Sequence, residues 1–158
     1  MLPTFRVNGN WQSIDPHLQG RDVSVEVGHS LFSIKLRRTN FEERNPADSL
    51  RLTYGHIQYR LSYGNTIEVG LGLGRAALNG NIKTTGTSFT LPLFRQLGDN
   101  FGFEFVQTYS DFNGVTVSDF DGSLMYFKDN MAASIGYRVI SNPASSLSGP
   151  YLGISFIY

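Results

Sequence analysis

Apolar residues recur at every second position along most of this chain, and no stretch of useful length repeats them at the helical period. Val23, Val25 and Val27 alternate with Ser24 and Glu26, and Phe32, Ile34 and Leu36 with Ser33, Lys35 and Arg37. Ile67, Val69, Leu71 and Leu73 face away from Glu68, Gly70 and Gly72, and "SFTLPLF", "FGFEFVQ", "GSLMYF" and "MAASIGYRV" continue the scheme. Successive side chains of a strand point to opposite faces, so each segment reads as a strand with one apolar and one polar side. In "RLTYGHIQYRLSYG" the apolar parity runs through Leu50, Leu52 and Tyr54, then moves to Ile57, Tyr59, Leu61 and Tyr63. Such a switch at Gly55-His56 predicts a β-bulge.

Composition narrows what the strands can build. The 158 residues suit one domain, 1–158, and twelve Phe, eight Tyr and seventeen Gly favour strands broken by turns. Thirteen basic and thirteen acidic residues cancel, which leaves no global basic field for nucleic acid. Cysteine is absent, so disulfide staples and Cys-bound zinc are excluded, and nothing calls for a cofactor. No apolar run approaches the roughly 20 residues of a membrane-spanning helix. The opening "MLPTFRVNGN" lacks the basic start and apolar stretch of a secretory leader.

The connections add a direction. Short turns are expected at 28–30, 64–65, 97–100 and 129–130, and longer polar loops at 42–49, 77–86, 111–118 and 141–149. Short and long alternate, which places all the long ones at one end of the sheet, as in barrels with trimmed turns on one side of a membrane. Residues 1–21 are either a first strand and loop or an N-terminal extension, giving ten strands or eight. The alternation of Phe5, Val7 and Trp11 with Arg6, Asn8, Asn10 and Gln12 favours ten.

The chain closes on "YLGISFIY", residues 151–158. This strand resembles the C-terminal β-signal of bacterial outer-membrane β-barrel proteins: Tyr151 at its polar place, Gly153 at its glycine, Phe156 and Tyr158 at its hydrophobic places. The resemblance implies an antiparallel up-and-down transmembrane barrel in the bacterial outer membrane, with the lipid bilayer as its surroundings. It also implies that the barrel-assembly machinery is a partner during biogenesis. Apolar faces would then look out to lipid, and Trp11, Tyr54, Tyr63, Tyr126, Tyr137 and Tyr158 are candidates for aromatic girdles.

The other face would line the interior with a charge network: Glu26, Arg51, Arg60, Glu68, Glu104 and Arg138, with Arg6, Lys35 and Arg37 beside them. Buried charges must pair or meet water. Among the three histidines, His17, His29 and His56, only His56 has Ser62 and Glu68 near it in sequence, and no Ser-His-acid spacing is recognisable. Asp119 and Asp121 before Gly122 form a fragment of a calcium loop without its closing Glu, and read as a solvated loop.

The expected role is a non-enzymatic membrane scaffold presenting its long loops to a surface ligand of unknown kind. Two alternatives remain: a narrow outer-membrane pore, and a soluble carrier of the lipocalin type. The last rests on Gly9-Asn10-Trp11, which resembles that family's Gly-x-Trp and would turn the apolar faces inward.

Overall fold

The computed structural model describes residues 4–44, 47–64, 66–81 and 83–158. Ten strands follow one another: β1 Thr4–Asp15, β2 Leu18–His29, β3 Phe32–Arg44, β4 Ala47–Tyr63, β5 Ile67–Asn79, β6 Lys83–Gln96, β7 Phe101–Phe112, β8 Val115–Lys128, β9 Met131–Ser141 and β10 Ser146–Ile157. Each pairs antiparallel with its sequence neighbours, and β1 pairs with β10, so the sheet closes into an up-and-down barrel. Residues 1–21 thus include the first strand, and the ten-stranded count holds.

Closure leaves no open edge, the condition for a sheet to sit in lipid. The seam runs from Arg6 opposite Ile157 to Gln12 opposite Tyr151. Tyr158 lies just beyond β10, yet its N–H donates to the Phe5 carbonyl and its own carbonyl accepts from the Phe5 N–H. The chain's final aromatic is therefore tied into the barrel.

Strand β4 corrects one expectation. Its register against β3 and β5 runs unbroken from Arg51 to Tyr59, so there is no bulge at Gly55-His56. Leu52, Tyr54, His56, Gln58 and Arg60 all face inward and are buried, while Arg51, Ile57, Tyr59 and Leu61 face outward. What changes along β4 is the environment on each side of the wall. Near the 16–17 and 113–114 turns the outer surface is polar and the interior apolar; farther down, the outer surface is apolar and the interior polar. The apolar plug comprises Phe41, Leu52, Tyr54, Ala76, Phe112 and Ile140, with Ile14, Leu18, Leu50, Leu78, Val117 and Leu147 packed against it. Tyr54 is therefore a core residue and not part of a girdle, because its parity aims it into this plug.

The long polar segments are also corrected. Most of their described residues extend the strands, and the fully described connections are as tight as those at the other end. Pro16-His17 joins β1 to β2, Asn113-Gly114 joins β7 to β8, and 142–145 join β9 to β10. Asn113 and Gly114 both take positive φ, 55° and 87°, the geometry of a two-residue hairpin turn. Asn142 Oδ1 accepts from the N–H groups of Ala144 and Ser145 at 2.8 Å, which fixes the last turn. Polar outer residues had read as loop because those strand ends stand clear of the apolar band. Asn45 and Pro46 of the 42–49 segment, Asn65 of the 64–65 turn and Ile82 of the 77–86 segment lie outside the described residues.

The strands run 11 to 17 residues, beyond the roughly 9–11 that a tilted strand needs to cross a bilayer. Outward Val25, Ile34, Leu36, Ile57, Leu71, Leu73, Leu124, Ile135 and Ile154 form the band, each exposed. Below it stand the aromatic pairs Phe32–Tyr59 and Phe101–Tyr126, with ring centroids 5.4 and 5.3 Å apart, and near them Tyr63 and Tyr158.

Candidate functional site

The interior of the apolar band is filled by ion pairs that reach across the barrel. Arg6 on β1 grips Glu104 on β7 with both terminal nitrogens, at 2.8 and 2.9 Å. Arg37 on β3 spans to Asp22 on β2 and Asp121 on β8, each at 2.7 Å. Arg138 on β9 chelates Asp119 through Nε and Nη2 at 2.9 and 2.6 Å, and its Nη1 reaches Thr39 Oγ1 at 2.9 Å. Thr39 in turn donates to Asp22 at 2.7 Å, so β2, β3, β8 and β9 meet in one cluster. Arg138 is only 1% exposed. Two-pronged arginine–carboxylate contacts of this kind fix geometry as well as charge.

A second cluster lies toward the Ser30 and Gly64 turns. Arg60 contacts Glu26 and Glu68 at 3.3 Å, and Lys35 stands 3.9 Å from Glu26. Of the residues expected inside, Glu26, Arg60, Glu104 and Arg138 point into the barrel, and Glu68 is inward but half-open at the mouth. Arg51 does not join them. It faces outward and is exposed, donating through Nε to Asn40 Oδ1 at 3.1 Å, because the unbroken register of β4 sets it opposite in parity to Arg60.

Three members of the network went unread in the sequence: Asp22, Asp119 and Asp121. Asp119 and Asp121 lie mid-strand in β8, buried and paired, and not in a solvated loop. Their alternation with Phe120 was the available signal. Among the described residues no group of His, Asp and Glu is placed to hold a metal ion.

The last strand divides between the two faces. Phe156 and Tyr158 face outward, while Tyr151 and Gly153 face in. A Cβ on Gly153 would collide with the side chains of Asn10 and Ser134, so glycine there lets the seam close. Trp11 also faces outward, 53% exposed, opposite to the placement a carrier with an apolar interior requires. The soluble-carrier alternative therefore falls: the Val, Leu and Phe faces look out, and the cavity is ionic.

An apolar belt outside, charge inside and no free edge are what a sheet in lipid demands. This is the architecture of an outer-membrane β-barrel. Comparison with one solved barrel agrees at the level of fold. The N-terminal β-barrel domain of Pseudomonas aeruginosa OprF superposes with a TM-score of 0.50 at 12% identity, over 99% of this chain and 98% of that one. The KdgM porin matches at 0.49 and 8% identity over 98% and 99% of the two chains. Neisserial surface protein A matches at 0.42 and 10% over 98% and 95%. No protein-family profile and no curated protein sequence matches the chain.

His56 sits within the wall of this barrel. Its Nε2 lies 2.8 Å from Ser88 Oγ, which is 2.9 Å from Ser110 Oγ, and all three are buried. Ser62 and Glu68, its neighbours in sequence, are not its partners. No carboxylate hydrogen-bonds His56 among the described residues, so the pair lacks the third group that orients a catalytic histidine.

Two cavities lie among the described residues of the barrel. One, between Arg6, Arg37, Glu104, Asp121 and Tyr151, measures about 20 Å³, room for one water. The other is an open cup of about 400 Å³ above the apolar plug, lined by Leu18, Phe41, Leu50, Leu78 and Leu147 with Glu43, Ser49 and Asn81 at its rim.

Proposed function

We propose that this protein is a closed, non-enzymatic barrel that anchors a rigid strand-built crown at the surface of the bacterial outer membrane. The observation that carries the reading is the filled lumen. Arg6–Glu104, Arg37–Asp121 and Arg138–Asp22 pair across the interior, the cavity beside them has room for about one water, and the plug around Leu52 and Phe112 stands above. An ion would have to break several buried pairs to pass, and each broken pair leaves an uncompensated charge. Among the described residues His56 and Ser88 hydrogen-bond to hydroxyls and to no carboxylate, which supports a role without catalysis. The crown offers its cup and polar outer wall for contact, not mobile loops.

The test is conductance of the purified, refolded protein in planar lipid bilayers. A silent membrane is the expected result. Reproducible single-channel steps, changed in selectivity by Arg60→Ala or Arg138→Ala, would replace this reading with that of a narrow pore.

A further inference from the structure

The upper edge of the apolar band is built differently on the two halves of the barrel. On β6, β7, β8, β9 and β1 the outward residues there are Phe89, Tyr109, Phe120, Tyr137 and Trp11, the aromatic border usual where lipid meets water. On β2 to β5 it is arginine. Arg21 follows Val23, Arg38 follows Leu36 and Arg75 follows Leu73, each as the next outward residue past the band, and Arg51 stands beyond Ile57 on β4. All four are exposed.

Glu42 faces outward on β3 one pleat past Asn40, yet no ion pair joins it to Arg21 or Arg51. Among the described residues none of the four makes an ion pair, although the same barrel pairs Arg6, Arg37, Arg60 and Arg138 inside. Asn40 lies in register between Arg21 and Arg51, and it accepts from Nε of Arg51 at 3.1 Å and of Arg38 at 3.4 Å. Those contacts use only Nε of each guanidinium group. Strands lie about 4.8 Å apart, so the four-strand row is about 14 Å wide.

We propose that this border binds the phosphates of a diphosphorylated glycolipid in the leaflet at the crown end. The inference rests on the membrane reading above. A lipid held there meets apolar strand with its acyl chains and guanidinium forks with its headgroup, the planar donors that fit phosphate oxygens. A disaccharide carrying one phosphate on each sugar can span the row.

The test uses the folded barrel in phosphatidylcholine nanodiscs doped with bisphosphorylated lipid A or its fully dephosphorylated form. Lipid retained after detergent extraction is counted by native mass spectrometry. The wild type is expected to retain the bisphosphorylated form about tenfold more. R21Q/R38Q/R51Q/R75Q should bring the two to parity, whereas R95Q, at the opposite edge of the band, should keep the preference. The pairs R21Q/R51Q and R38Q/R75Q, each expected to weaken it, serve if the fourfold variant does not fold. Equal retention by the wild type overturns the proposal. So does a preference that survives all the variants, or one abolished by excess inorganic phosphate, which would assign the arginines to the free ion. A barrel that stays silent in planar bilayers but shows no lipid preference refutes this inference alone.

Discussion

The Tyr151 hydroxyl donates to Asp121 Oδ1 at 2.6 Å from two strands away, because Gly136 on the strand between has no side chain to block it. A Cβ at Gly136 would collide with the Tyr151 ring. This contact ties the closing region of the barrel to the Arg37–Asp121 pair, so a single missing methyl group positions part of the ionic core. Gly136→Ala should cost about 1–3 kcal/mol through overpacking. Tyr151→Phe should cost about 1–3 kcal/mol by leaving Asp121 short of a donor. The double variant should lose less than the sum, since both changes break one contact. Urea unfolding in detergent, followed by Trp11 fluorescence, measures all three.

Removing Arg138 tests whether the interior charges act as a unit. Arg138→Ala strands Asp119 in a buried site, while Asp22 keeps Arg37 and Thr39, and should destabilise the barrel by about 3–5 kcal/mol. Adding Asp119→Asn to it should recover part of that loss, because one orphaned charge disappears. The same unfolding assay reads the difference, and a further loss on adding Asp119→Asn would contradict the paired network.

The inversion along β4 predicts opposite tolerances at adjacent residues on the two sides of the wall. Arg51→Leu, on the outer wall above the band, should change stability by about 0.5 kcal/mol or less. Leu52→Asp, its neighbour in the plug, should prevent stable folding, since it buries an unpaired carboxylate at a position 2% exposed. Leu71→Arg in the band should cost about 2–4 kcal/mol if it lies near the bilayer midplane. Folding yields into lipid vesicles, scored by altered gel migration before and after heating, separate these three cases.

The C-terminal strand should matter more in cells than in a test tube. Phe156 and Tyr158 face outward, and as an assembly signal they would also be read while the chain is unfolded. Phe156→Asp or deletion of Tyr158 should therefore reduce membrane insertion in cells severely. Refolding into detergent should suffer less, because only packing and the Phe5–Tyr158 backbone pair are then at stake. Equal losses in both settings would make the strand structural only, and normal assembly in cells would remove the signal.

The sequence left eight or ten strands open, with ten favoured by Phe5, Val7 and Trp11; antiparallel order and the Val, Leu and Ile faces were legible from period two and the turn signals, as β2 and β5 show. The inside-out question was not, since alternation is the same whichever face is wet. Three misreadings share one cause. Arg51 inside, Tyr54 in a girdle and a bulge at Gly55 all assume that one face keeps one polarity along a strand. A strand that leaves the membrane reverses that polarity without changing its register. The 111–118 loop was a different lapse: Asn113-Gly114 is a two-residue turn signal, outweighed by the polar residues around it. The cross-barrel pairings could not be read at all, because Arg6 and Glu104 meet only when the sheet closes.

The central claim is that the apolar faces meet lipid and the ionic faces line a filled interior, with the order reversed at the crown. The chain has no cysteine, so single spin labels can be placed without removing any native thiol. Labels at Val23, Ser24, Val25, Thr53 and Ile57 in the bilayer-reconstituted barrel would report collisions with oxygen, which concentrates in lipid, and with a water-soluble nickel chelate. The expected result is high oxygen access at Val23, Val25 and Ile57, little access to either at Ser24, and nickel access at Thr53. Nickel access at Val25 and Ile57 with oxygen access at Ser24 would contradict it.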